Sequence, residues 1–263
     1  MNIVGLDCGR RNVKVVTDNK VFFISSYVGE WRERKLKDKS TNHLEVEFQD
    51  EKYFVGDLAL EESEFCRSMM TDDKDHDDTL ILALTALHQA GVEEANIVTG
   101  LPVSMHDEDR KRRMKNLLLG PWEITVNGVK KSIFIDTVDV AAEGGAAFWS
   151  NPKMGKIRII DGGSKTVNYV TMNNKRYVDR DSGTLDFGFE TNKSSNEKQF
   201  ANRVAGELGK KWGSEDVVYT VGGNATVLAK YLKPYFKNVT PMDKALYANA
   251  IGFRNIGKIK YGI

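Results

Sequence analysis

Residues 157–170, Ile157-Arg158-Ile159-Ile160-Asp161-Gly162-Gly163-Ser164-Lys165-Thr166-Val167-Asn168-Tyr169-Val170, decide how this chain is read. A β-branched run stops at Asp-Gly-Gly and a second one follows, which predicts a strand, a tight turn and a returning strand. The same order opens the chain at Ile3-Val4-Gly5-Leu6-Asp7-Cys8-Gly9-Arg10-Arg11-Asn12-Val13-Lys14-Val15-Val16. Glycine lets backbone N–H groups approach an anion closely, and an Asp at a strand end can hold a hydrated metal ion. Taken singly, Asp7 and Asp161 are also ordinary turn residues. As a matched pair they point to two hairpins gripping the phosphates of one Mg-nucleotide from both sides.

The 263 residues suffice for two modest domains or one large one, and 41% hydrophobic content fits a globular core. Lys+Arg 38 against Asp+Glu 37 gives no global case for direct nucleic-acid binding. The one local basic run, Arg110 to Lys115, reads more simply as a solvated helix face. Two isolated cysteines, Cys8 and Cys66, make neither a disulfide framework nor a zinc site. No apolar run approaches the ~20 residues of a membrane span, and the opening strand does not resemble a secretion signal. A cytoplasmic protein with no membrane partner is expected.

Hydrophobic periodicity orders the rest. Residues Gly29 to Asn42 read as a charged, exposed loop. Leu44–Phe48 and Tyr53–Val55 form a hairpin within a small flap spanning about 31–70. Asp77 to Ala90 is a buried helix, Asn96 to Leu101 a strand, and Asp107 to Leu119 a charged helix. Another hairpin joins Trp122–Val126 to Lys131–Asp136, and Val138 to Phe148 runs into a small-residue helix. After Pro152 the opening pattern returns as a weak internal duplication. Gln199 to Trp212 is amphipathic, Asp216 to Val221 is a strand, and Thr226 to Tyr235 and a last element from about Met242 are helices.

Glu143 lies in Val140-Ala141-Ala142-Glu143-Gly144-Gly145, where close packing leaves a carboxylate little to face except a cleft. Gly222-Gly223, between an apolar strand and a helix, let the chain pass close under a purine or ribose. Asn224 either caps that helix or bonds a ligand. Glu207 and Lys211 have the spacing of a plain i,i+4 surface pair.

Five elements resemble, in order, those of actin-like ATPases. They are phosphate-1 at Asp7 to Lys14, a connect-1-like helix at Val138 to Trp149 and phosphate-2 at Asp161 to Asn168. An adenosine-like motif at Val218 to Thr226 and a connect-2-like helix at Leu246 to Gly252 complete the set. The resemblance is to ParM-type plasmid-segregation actins. Only about 60 residues separate Asp161 from Gly222, too few for an outer lobe of domain II, and AlfA-type proteins share that lack. It implies an α/β, two-domain, ribonuclease-H-like fold of the actin/Hsp70/sugar-kinase superfamily with subdomain IIB missing or vestigial. Domain I would span 1–140 and domain II 141–241, with 242–263 returning to domain I.

The resemblance also implies roles. Asp7 and Asp161 would anchor the water shell of Mg²⁺ and, with Glu143 positioning the attacking water, form the catalytic set. Gly9, Arg10, Arg11, Asn12 and Lys14 would meet phosphates from one side. Gly162, Gly163, Ser164 and Lys165 would meet them from the other. Gly222, Gly223 and Asn224 would lie at the nucleoside, with Glu207 and Lys211. ATP or GTP would be hydrolysed slowly, coupled to self-assembly into filaments that partition plasmid DNA through a DNA-binding adaptor on a centromere. Arg10-Arg11, where hydroxyl residues are usual, and Asn168, where an acid is common, depart from the pattern. A small-molecule kinase and a non-polymerising ATP-binding adaptor are the alternatives.

Overall fold

The computed structural model describes residues 2–36, 43–68, 74–191 and 196–263. The chain opens with β1 (Ile3–Cys8), β2 (Asn12–Val16), β3 (Val21–Ser25), β4 (Tyr27–Glu30), β5 (Leu44–Phe48) and β6 (Glu51–Val55). Helix α1 (Asp57–Glu62), β7 (Arg67–Ser68), α2 (Asp77–Ala90), β8 (Glu94–Leu101) and α3 (Glu108–Leu118) follow. Strands β9 (Gly120–Val126) and β10 (Val129–Ala142) complete the first half. The second half contains α4 (Gly145–Phe148), β11 (Lys156–Gly162), β12 (Val167–Asn173), β13 (Arg176–Tyr177) and β14 (Gly183–Leu185). It closes with α5 (Glu197–Leu208), β15 (Val217–Val221), α6 (Ala225–Leu232), β16 (Asn238–Pro241) and α7 (Ala248–Tyr261).

Two sheets repeat one topology. In the first, β3-β2-β1-β8-β10 is a meander followed by two parallel strands. In the second, β13-β12-β11-β15-β16 has the same order and the same senses. The duplication seen weakly in the sequence is therefore structural. In the first sheet β10 also pairs β9, and β5-β6-β4-β7 extend that sheet further.

Side-chain alternation along β1 assigns its faces. Val4, Leu6 and Cys8 join the core under α2, whereas Ile3, Gly5 and Asp7 face the opposite way. There Gly5 lies so close to α7 that a Cβ would meet the Ala250 carbonyl oxygen at 1.9 Å. On β11, Ile160 packs with α5 and α6, while Ile157 and Ile159 pack with α4 and the start of α7. Asp161 shares the parity of that second face. Helices α4 and α7 thus lie between the sheets, and both Asp7 and Asp161 face this middle layer.

The structure corrects several expectations. Val138 to Ala142 are not helical: they extend β10, paired in parallel with β8, and α4 spans only Gly145–Phe148. β-Branched Val138 and Val140 and the ladder outweigh the helix propensity of Ala141 and Ala142. Residues Asn238–Pro241 form β16, and the last helix begins at Ala248 after a 3₁₀ turn rather than near Met242. Of the charged loop, residues 37–42 lie outside the described set. Gly29 instead belongs to a buried strand, and the Arg34 side chain is buried against Glu45. Among the described residues, the chain between β12 and β15 adds only β13, a 3₁₀ turn, β14 and α5 to the second half.

Candidate functional site

A cleft of about 300 Å³ opens where the two hairpin turns meet the ends of α6 and α7. It is lined by Gly9, Arg10, Arg11, Asn12 and Lys14 from the first turn and by Gly162, Gly163, Ser164 and Lys165 from the second. Gly222, Gly223 and Asn224 border it, and Asp7, Glu143 and Asp161 form its floor at 6%, 8% and 6% exposure. Glu207 and Lys211 are not brought to it. Glu207 pairs with Lys210, and the Lys211 ammonium sits over the Tyr169 ring.

The hairpins set the floor by register. Asp7 pairs across the first hairpin with Lys14, and Asp161 across the second with Asn168. Lys14 Nζ donates to Asp7 Oδ2 at 3.0 Å. Asn168 uses its amide differently: Nδ2 donates to Glu143 Oε2 at 3.4 Å, while Oδ1 accepts from Thr184 Oγ1 at 2.8 Å. Glu143 stands in the turn after β10, its N–H bonded to the Leu101 carbonyl, and Gly144 follows with φ +73°. That left-handed conformation suits glycine, and a Cβ there would also crowd Val170.

Asn249 on α7 ties the halves together. Its Nδ2 donates to Asp161 Oδ2 at 2.8 Å and its Oδ1 accepts from Gly144 N at 2.9 Å. Burial pushes the Asp161 carboxyl up to about 6, reinforced by the Glu143 charge and opposed by the Asn249 bond. Lys74, just before α2, is 4% exposed, and its ammonium is bonded to Glu143 Oε1. Burial alone would lower its pKa; Glu143 and Asp7 outweigh this and raise it. Three carboxylates thus share the floor with two ammonium groups.

This excess of buried negative charge suits a divalent cation. Among the described residues no three His, Cys, Asp or Glu side chains could hold a metal by themselves. Mg²⁺ usually takes one or two carboxylates, with waters and substrate phosphates completing its shell. Asp7 and Asp161, acting through water, fit that pattern.

Asn224 does not cap α6 through its side chain; it stands at the N-cap position and lines the cleft. At the mouth, Arg11 reaches Glu190 at 3.4 Å, and Glu190 N in turn bonds the Ser164 carbonyl, so an exposed ion pair links the two turns. In the basic run, Arg110, Lys111 and Arg112 pair with acids on their own helix or its cap, and Arg113 also reaches Asp75. No described helix is long and apolar enough to cross a membrane.

Neither Lys74 nor Asn249 stands out from sequence as a site residue. Lys74 lies in a charge run, Lys74-Asp75-His76-Asp77-Asp78, that looks solvated. Asn249 had one usable signal, a polar residue flanked by alanines on a buried helix.

With this geometry in place, comparison with known proteins identifies the class. The family model for the N-terminal domain of actin-like proteins matches residues 5–145, and the chain belongs to the actin-like proteins. Curated sequences give no match. Among solved structures, apo ParM of psk41 shares the fold at TM-score 0.80 and 16% identity, covering 99% of this chain and 98% of that one. AlfA from B. subtilis plasmid pLS32, solved as a filament, gives 0.77 and 22% over 96% and 97%. The archaeal actin homologue Ta0583, in complex with ADP, gives 0.81 and 16% over 98% and 100%.

Proposed function

We propose that this chain is a nucleotide-dependent, filament-forming actin-like protein that partitions plasmid DNA. The observation that carries the site is the convergence of Asp7, Asp161 and Glu143 on one cleft between two glycine turns. The turns and Lys14 bind phosphates, with Gly222, Gly223 and Asn224 beside the nucleoside. Bound Mg²⁺ would neutralise phosphate charge. Asp7 and Asp161 would hold the ion through water, and Glu143 would orient the attacking water, since positioning dominates phosphoryl transfer. The ligand is ATP or GTP, hydrolysed slowly in the cytoplasm.

Filament formation is supported by the fold shared with AlfA, which was solved as a filament, and nucleotide binding by the ADP complex of Ta0583. A plasmid-bound DNA-binding adaptor is proposed because the chain itself is electrically balanced and its basic helix pairs with nearby acids. Light scattering on adding ATP or GTP with Mg²⁺ separates this from a kinase. A rise that depends on nucleotide supports the filament, and a flat trace with phosphoryl transfer to a small acceptor refutes it.

A further inference from the structure

The cleft holds a buried cation, Lys74, that the proposed mechanism leaves without a task. Lys74 is bonded to one oxygen of Glu143 and Asn168 approaches the other, so Oε1 is engaged by an ammonium that competes with any water it would orient. The neighbouring Asp75 accepts from Arg113 Nε on α3, which anchors the start of the α2 segment and fixes where Lys74 reaches. An ammonium held by a carboxylate beside a phosphate cleft is well placed to exchange that carboxylate for a phosphate oxygen.

We propose that Lys74 is the specificity-determining residue for the terminal phosphate. Its ammonium is bonded to Glu143 Oε1. When a nucleoside triphosphate binds, the ammonium passes to the terminal phosphate oxygens and Glu143 Oε1 is released to take the water. A diphosphate offers no such group, so Lys74 stays on Glu143. The same residue thereby favours the triphosphate and couples its arrival to a competent Glu143. This rests on the cleft being the nucleotide site.

The test is a competition measurement of Kd for AMPPNP and for ADP, both with Mg²⁺, below the protein concentration at which scattering rises. Wild type is expected to favour AMPPNP. Lys74→Met should shrink the ADP-to-AMPPNP Kd ratio by about tenfold or more, the worth of a charge-assisted hydrogen bond, and Lys74→Arg should retain most of it. Should Lys74→Met fail to fold with Glu143 left unpaired, Lys74→Met/Glu143→Leu removes both charges and carries the same comparison. An unchanged ratio in the variants, or no wild-type preference, overturns the role of Lys74 while leaving the nucleotide cleft intact. Failure of wild type to bind either nucleotide overturns both.

Discussion

Lys14 stands directly across the first hairpin from Asp7, its ammonium 3.0 Å from the carboxylate, at the register position that Asn168 fills opposite Asp161. The two halves therefore present their acids alike but partner them differently. The first acid has the Lys14 cation directly across from it, and the second accepts from the Asn249 amide.

Lys14→Met leaves Asp7 buried without its ion-pair partner. Truncating one side of a buried pair typically costs on the order of 3 kcal/mol. The variant should unfold at lower denaturant and bind Mg-nucleotide at least tenfold more weakly, as checked by urea titration and fluorescence competition. Retention of wild-type affinity would remove Lys14 from the phosphate site.

Asn249→Ala deletes the bonds to Asp161 and to Gly144 together. Leaving buried polar groups unpaired costs about 1–3 kcal/mol. Because Gly144 follows Glu143 directly, hydrolysis should fall more than nucleotide affinity, a split visible in single-turnover rates set beside Kd.

Asp161 gives the apo protein a signed pH dependence. Its folded pKa of about 6 lies above the ordinary 3.8, so the folded state keeps the proton longer and stability falls as pH rises between these values. Above about pH 6 the ionised group costs on the order of 3 kcal/mol. Asp161→Asn should therefore stabilise the metal-free protein near pH 7.5, with the gain fading toward about pH 4. Thermal melts across that range in EDTA check the sign, and a gain growing toward acid would contradict it.

Helix α7 meets its neighbours through glycines. At Gly252 a Cβ would lie 1.8 Å from the Ala146 carbonyl oxygen, and at Gly100 a Cβ would lie 2.1 Å from the Phe253 ring. Gly252→Ala should destabilise by about 1–3 kcal/mol or more, because the obstacle is backbone rather than a movable side chain. Gly206→Ala on α5, where a Cβ meets nothing, should be neutral or slightly stabilising by chemical denaturation.

How much was legible from sequence follows from what each feature depends on. The hairpins at Asp7 and Asp161 were readable because strand alternation and turn glycines are local, as was α2 at Asp77–Ala90. The strand character of Val138–Ala142 was not, since it comes from pairing with β8, remote in sequence. Lys74 was invisible for the same reason: burial among Glu143, Asp7 and Cys8 is created by the fold, and its sequence neighbours are mostly acids that suggest solvent. Glu207 and Lys211 have a spacing that fits a site or a surface equally, and the fold leaves them outside the cleft lining.

The most direct measurement is ultracentrifugal pelleting with ATP, GTP, ADP or no nucleotide, for wild type and Glu143→Ala. The account predicts pelleting that requires a triphosphate, and Glu143→Ala filaments that outlast those of wild type because hydrolysis no longer times them. A protein that binds nucleotide yet stays in the supernatant under every condition would contradict it.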